Sequence, residues 1–562
     1  SNKGYNFAGN IALGADGMSV VTVADVDYTN ITKVTPSFKG HFDGNGHKIT
    51  VNYDGIDSGI TDNNPKYQHR VSAFPNAGDS NIKDSNNSKQ TSFKNLTVNG
   101  TIIAGTMNGT LDTYVECTNG AYDIAGFVGK PYGAIKFENC TNDANIQGLR
   151  AIAGIAGCST DTAPITAIGC VNKGDITTYQ MSTWERTGTQ NMGNQKNYEY
   201  GTGGIVAYAT SSVTIESCLN TGNITGGVKV GGLVGRVTNG SRSKSILRIN
   251  NCANIGKIKS FEYNYYNNNY SSGDKTYRAA NVWARVGGLV GEVDCYTQMF
   301  MYSSYNAGEV VALGSVAGGL VGIIGSIPDG KKPEQAETVY QSEIAYCYNV
   351  GNVTVGYKNK DYGFGGIKWI PLFGSGTNWN GTEAAGILGV TGYVKIDYCY
   401  NAGDITGYGC IGSELAWQTH LGGIVAEVTV NTNNSFGQGK SQATAEINNC
   451  YNTGLIATKE DENGNKGNCR YSADIVGYID SKSDKITANH CYGIAKNILL
   501  GKDTYYSNGW NENEKGSGTG AKIDYVRTGT TLANLAQLTA VMKNNSSLSV
   551  GTIQSLASTW NA

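Results

Sequence analysis

The chain has 562 residues, 77 of them Gly and 8 Pro, with 39% hydrophobic residues, 16% charged residues and a net charge of −2. So much Gly without a Gly-X-Y period, beside so little Pro, excludes collagen, and the many Val, Ile and Tyr exclude a disordered Gly/Ser linker. Gly and Asn at this density break long helices but suit a β-rich chain of many turns. With 43 basic against 45 acidic residues and no basic block, a nucleic-acid partner has no electrostatic support.

The chain opens SNKGYNF, without Met, and reads as a mature product or an excised piece. Residues 1–36 hold two alternating runs and are expected to cap the first coil of a solenoid, since an open β-edge invites aggregation. No stretch of about 18 apolar residues occurs, so no membrane insertion is expected. Thirteen Cys is an odd and sparse count for a disulfide scaffold, and no Cys/His spacing suggests zinc.

From residue 125 two short phrases alternate. The first is a Gly-hydrophobic core: AGFVG (125–129), AGIAG (153–157), GGIVA (203–207), GGLVG at 231–235, 287–291 and 318–322, AGILG (385–389), GGIVA (422–426) and ADIVG (473–477). Each is followed by one copy of C-x-N-x-G-x-[IV], with Cys140, Cys170, Cys218, Cys252, Cys347, Cys399, Cys450 and Cys491, and Ser304 standing in once. The Asn two residues on is kept from Asn142 to Asn452 and is replaced by Gly493 in the last copy. The flanking runs are short, β-branched and bounded by turn residues, so they read as strands. The copies recur at intervals too short for separate domains and suited to one coil of a solenoid, whose apolar side is buried only by stacking on its neighbours. About eleven or twelve coils are expected. The Asn is expected at a bend, where it tolerates the left-handed conformation and can hydrogen-bond to its stacked copies. The Cys are expected as an inward column of free thiols, because in-register parallel neighbours fit disulfide torsions poorly.

The Gly-Gly-Leu-Val-Gly phrase resembles the GLUG motif of bacterial surface proteins. SFKGHFDGNGHKITVNY (37–53) is similar to the segment that opens the β-helix of such proteins, and TSFKNLTVNGTI (91–102) resembles the strand that usually comes after it. The resemblance covers about residues 37–495. It implies an all-β, right-handed parallel β-helix in a secreted or cell-surface bacterial protein of the adhesin kind. The degenerate AGIAG and ADIVG copies and Ser304 depart from the pattern, and the motif informs architecture better than activity. Three segments are therefore expected: an N-terminal cap (1–36), the β-helix with its inserted loops (37–495), and a C-terminal cap (496–562). In the last, Leu532, Leu535, Leu538 and Met542 mark an amphipathic helix over 531–544.

Long insertions fall after the Asn-Gly phrase, at 177–202, 259–286, 354–384, 406–421 and 457–472, and such insertions emerge on one flank of a solenoid. They carry Trp184, Trp283, Trp369, Trp379 and Trp417, together with Tyr263, Tyr265, Tyr266 and Tyr270. These rings either anchor the loops on the wall or form a platform for a host or dietary glycan or a surface protein. Within KEDENGNKGN (459–468), Asp461, Asn463 and Asn465 offer alternate oxygen ligands to Ca2+, against the plainer reading of a solvated acidic loop. No other cofactor is expected. The sequence carries no recognisable catalytic pattern: the acidic residues are scattered, the five His (His41, His47, His69, His420 and His490) form no cluster, and Asp43 and His47 of FDGNGH read as a Gly-rich turn. The expectation is a non-catalytic extracellular adhesin or binding protein. The alternatives are a polysaccharide-active enzyme on the same scaffold and a structural spacer or filament subunit.

Overall fold

A computed structural model describes residues 37–54, 71–104, 122–148, 150–159, 163–178, 200–239, 244–260, 262–267, 275–280, 284–312, 316–326, 340–356, 382–408, 419–428, 444–459, 469–479, 485–493 and 522–525. Among these residues the chain is all-β, and its strands stack in parallel, coil upon coil, as a parallel β-helix. One coil serves as the pattern. Lys229–Gly231 lies on a first wall and Val234–Val237 on a second; Ser245–Asn250 forms the third, and Ala253–Asn254 with Ile258–Ser260 the fourth. The first wall is a nine-stranded sheet and the second a ten-stranded sheet; the third and fourth join in a 29-stranded sheet.

Register is kept from coil to coil. Val230 pairs with Val286 and Gly231 with Gly287, while Leu247 pairs with Met299 and Asn254 with Asn306. A slip of one residue would turn every inward side chain outward, so the apolar alternation holds each rung in place. Val230, Leu233, Val234, Val237, Leu247, Ile249, Cys252 and Ile258 of this coil are all buried in one continuous core. Its first coils are filled by rings instead: Phe74 and Phe93 lie 4.6 Å apart and Phe93 stacks on Phe137 at 5.5 Å. The expected caps fall largely outside the described residues, as does the helix over 531–544. Lys522–Tyr525 is described, and it adds one parallel strand to Lys485–Gly493.

The corner between third and fourth walls corrects one expectation. The left-handed residue is not the repeated Asn but the residue before the Cys, or before Ser304, in eight of the nine copies: Asn139, Gly169, Ser217, Asn251, Ser303, Tyr346, Tyr398 and Asn449 have φ between 49° and 62°. Four are not Asn or Gly, and two are Tyr, so the stacked neighbours hold this turn against local preference. Tyr346 and Tyr398 stack at 5.2 Å. The Cys that follows turns inward, where the described thiols are free and buried. It also closes the corner: the backbone N–H of Cys170 donates to Cys218 Sγ at 3.3 Å, and that of Cys252 donates to Ser304 Oγ at 3.0 Å. Burial, with hydrogen bonding to neighbouring thiols, holds the Cys347 and Cys450 thiols well above their ordinary pKa, whereas at Cys170 and Cys399 burial is outweighed by the hydrogen bonds from neighbouring thiols, which lower it.

The Asn are strand residues, and they do bond along the axis. Nδ2 of Asn142 donates to Asn172 Oδ1 at 2.8 Å, and the pattern continues through Asn220, Asn254, Asn306, Asn349 and Asn401 to Asn452. The same nitrogen also donates to the carbonyl two residues on, as from Asn254 to Gly256 at 2.8 Å. Against each Asn packs the Gly at the second position of the Gly-hydrophobic phrase. A Cβ added at Gly126, Gly154, Gly204, Gly232, Gly288, Gly319, Gly386 or Gly423 would meet Asn side-chain atoms. The two phrases alternate in sequence because they interlock across the core.

The last copy departs from both phrases at once. Asp474 takes the place of the second-position Gly and Gly493 that of the Asn, and a Cβ on Gly493 would run into the Asp474 carboxylate. Asn452 donates to Asp474 Oδ1 at 3.0 Å, so Asp474 fills the space left by the missing Asn and accepts the last bond of the ladder. Two irregularities in the sequence are thus one compensated exchange.

Candidate functional site

A second interior lies outside the first. Val230, Leu233 and Val234 point into the core, so alternation sends Lys229 and Gly231 to the outer face. There the first and second walls fold back on each other about the Gly-Leu turn and meet backbone to backbone. A Cβ on Gly201 would lie 2.5 Å from the Ala207 oxygen and 2.7 Å from the Arg236 nitrogen, and one on Gly235 would lie 2.7 Å from the Gly201 carbonyl carbon. Small residues allow this approach: the last position of the phrase is Gly in seven copies and Ala at Ala207 and Ala426. Beyond the glycine contact, the residue two before each Gly-hydrophobic phrase faces the residue just after it, as Arg285 faces Glu292 and His420 faces Glu427. Stacked coils turn these pairs into a seam along the solenoid.

The contents of the seam change from coil to coil. Early on it is lined by Ala151, Ala153, Cys158, Ala207 and Tyr208. Glu292 then lies 2.9 Å from Arg236 Nε and 3.0 Å from Arg285 Nε, with all three side chains buried. Next come Val316, Ile323 and Val390, an apolar cluster. The following coils bring together Glu383, His420 and Glu427. One ligating atom from each lies within 4.8 Å of the others.

Register makes this cluster. Glu383 pairs with His420 on the first wall, and the second wall places Glu427 opposite them, with Tyr478 beside it in the next rung. His420 Nδ1 lies 2.8 Å from Glu427 Oε2 and donates to it when protonated, and the imidazole stacks on the Tyr478 ring at 4.3 Å. Glu383 is 7% exposed. Burial first, and the neighbouring Glu427 charge second, hold its pKa well above the ordinary carboxylate value; Arg285 opposes this more weakly. The arrangement can share a proton between two carboxylates or place both on a cation. The acidic residues look scattered along the sequence, and the structure brings two of them, Glu383 and Glu427, together with one His. The three residues are brought together by coil register across two walls, a signal visible only once the Gly-hydrophobic phrases are aligned and the residues flanking them compared.

A column of tyrosines is a further feature that the repeat contained but did not announce. The middle residue of C-x-N is Tyr305, Tyr348, Tyr400 and Tyr451 in four successive copies. Their rings stack at 4.8, 4.9 and 5.0 Å, nearly parallel, at the spacing of the rungs.

Of the aromatic residues expected to bind a ligand, Trp184, Tyr270, Trp283, Trp369, Trp379 and Trp417 lie outside the described residues. Tyr263, Tyr265 and Tyr266 lie on Glu262–Asn267, which pairs antiparallel with Lys275–Ala280 in a two-stranded sheet of its own; only their backbone is described. Asp461, Asn463 and Asn465 lie outside the described residues as well. Asp43 occupies the Gly-rich turn expected of FDGNGH: it accepts from the Asn45 backbone N–H at 3.0 Å and pairs with Lys94 at 3.0 Å, and these bonds hold its pKa below the ordinary value.

The strand ends fix where the insertions arise. The turn between first and second walls is two residues long in each complete copy, whereas the connection entering the first wall varies. Arg150 follows Gly148 almost directly, while Gly201, Arg285, Thr382, Thr419 and Cys469 follow the long insertions. The connection leaving the second wall varies too, as between Ser326 and Ser342. Both open beside the seam, because the residues flanking each phrase, close to these strand ends, touch across it, as Arg285 with Glu292 and His420 with Glu427. No protein-family model, curated protein or solved structure matches the chain.

Proposed function

We propose that this protein is an extracellular, non-catalytic surface adhesin or binding protein, a rigid β-helix that presents aromatic loops to a glycan or to a surface protein. The observation that carries the reading is the convergence of the variable connections beside one seam, while every other corner of the coil is held constant. A rigid wall with its variation confined to one flank is the usual arrangement of a binding scaffold. Trp369, Trp379 and Trp417 belong to insertions that end where Thr382 and Thr419, each next to Glu383 or His420, begin the first wall, and Trp and Tyr supply contact area at low entropic cost.

The test is a glycan array and a panel of surface proteins probed with the purified chain. Binding should be saturable and should weaken at least about tenfold in the Trp369→Ala, Trp379→Ala double variant, the loss of a hot-spot ring or two. No binding to any member, or binding indifferent to both rings and to Trp417→Ala, would sink it. A second reading, a polysaccharide-active enzyme, is favoured by the paired Glu383 and Glu427. Turnover of a pectin-like or host polysaccharide that stops in Glu427→Gln would replace the first.

A further inference from the structure

Along the described coils the seam carries charge in three places, Asp123 with Lys130 at 3.4 Å, the group around Glu292 and the group around Glu383, and only the last brings two carboxylates together. Around Glu292 two guanidiniums face one carboxylate in contact geometry. Around Glu383 two carboxylates face one imidazole. Glu383 accepts from its own backbone N–H and has no ion-pair partner among the described residues, though more than nine-tenths of it is buried. Its nearest strongly charged neighbour along the column is Arg285, which is engaged by Glu292 and separated from it by Val316 of the apolar cluster. A carboxylate placed this deep without a counter-charge is costly unless it is protonated or a cation joins it.

We propose that Glu383, His420 and Glu427 form a binding site for one divalent transition ion of the zinc class. Three side chains from three strands, on both walls of the seam, converge their ligating atoms, and the Tyr478 ring fixes the plane of the imidazole. One imidazole nitrogen with carboxylate oxygens is a donor set that suits Zn2+ and its neighbours. Ca2+ asks for six to eight oxygens, which three such side chains do not supply. Around a tetrahedral ion with ligands at about 2.1 Å the donors lie roughly 3.4 Å apart, so loading requires side-chain adjustments of about 1 Å and no movement of the walls. In the metal-free form the contact between His420 and Glu427 holds the same place. The ion would tie the two walls together where the insertions carrying Trp369, Trp379 and Trp417 rejoin the solenoid. The proposal does not depend on what those insertions bind.

The full chain, stripped with a chelator, is titrated with ZnCl2 by calorimetry and with CoCl2 by visible absorption. One equivalent of Zn2+ should bind, at least about tenfold more weakly in Glu383→Gln and in His420→Gln, as loss of a ligand requires. Cobalt should give d–d bands without the thiolate charge-transfer band that the buried Cys column would produce. Far-UV circular dichroism checks that each variant is folded, and Glu427→Gln, at the most exposed of the three ligands, gives an independent third variant. No stoichiometric uptake by the wild-type chain overturns the proposal. So does uptake unchanged in the folded variants, or a cobalt spectrum dominated by thiolate.

Discussion

The molecule has two interiors built from the same coils, and they obey different rules. Inside the helix, each Asn donates to the Asn of the next coil, so one residue type is required at every rung; a different side chain would break two neighbours' bonds at once. In the seam, Lys229, Arg285, Val316, Glu383 and His420 occupy one column in successive coils. No rung there hands a hydrogen bond on to the next in a fixed pattern, so the column is free to vary in charge and size. The difference teaches where a solenoid of this kind can acquire chemistry: not in the ladder, which is committed to its own continuity, but in the fold-back beside it.

The largest expected effect comes from breaking the most deeply buried ion pairs of the seam. Glu292→Ala removes the carboxylate shared by Arg236 and Arg285 and leaves two buried like charges side by side, at a cost of about 3–5 kcal/mol. Solenoids open locally, so amide hydrogen exchange over 229–237 and 285–293 is the measurement, and the loss should be confined to these coils. A cost under about 1 kcal/mol would mean that the seam is held by its glycine contacts and not by its ion pairs.

The ladder is tested at its end, where it departs from its own rule. Asp474→Gly restores the repeat's residue at that position but removes one of the two acceptors of the buried Asn452 Nδ2, the Gly454 carbonyl being the other, at a cost of about 1–3 kcal/mol. Adding Gly493→Asn should recover most of that loss by returning an amide to the vacated space. If the two changes add independently in a double-mutant cycle, the exchange is coincidence rather than compensation.

Much of the first interior is legible in the sequence, and little of the second. Alternating phrases specify the coil, its stacking and the bonding of Asn142 through Asn452, because each is a demand repeated at every rung. The left-handed position is misplaced onto the Asn because Asn is the usual occupant of that conformation, yet stacking places Ser217, Ser303, Tyr346 and Tyr398 there. Asp474 and Gly493 stand in plain view as separate departures, and only the geometry shows that they occupy one space. The acid-imidazole cluster escapes notice for another reason. Glu383, His420 and Glu427 are set by no repeat; they meet because two walls fold together, and nothing local in TEAAG or THLGG records that. The aromatic insertions remain as the sequence presents them.

The smallest effect at neutral pH is expected at the segment of the seam that carries excess negative charge, and it is read through its pH dependence. The Glu383 pKa is raised in the folded chain above its ordinary value of 4.5, by burial and then by Glu427. A carboxyl raised on folding binds its proton more tightly in the native state. Its contribution to stability is therefore complete below the unfolded value and is lost as pH rises through the folded one. Glu383→Gln keeps the shape and removes the titration, so in chelator-treated protein the variant should gain on wild type as pH climbs from about 4.5. Glu292→Gln should show no such gain, since there the carboxylate is the group that balances its neighbours. The measurement is the difference in thermal midpoint between each variant and wild type across that range. A rise with pH at Glu383 and none at Glu292 is the expected pattern. Parallel curves would mean that the two charged segments are equivalent, and that the contrast between them lies in which residues are present rather than in how they are paired.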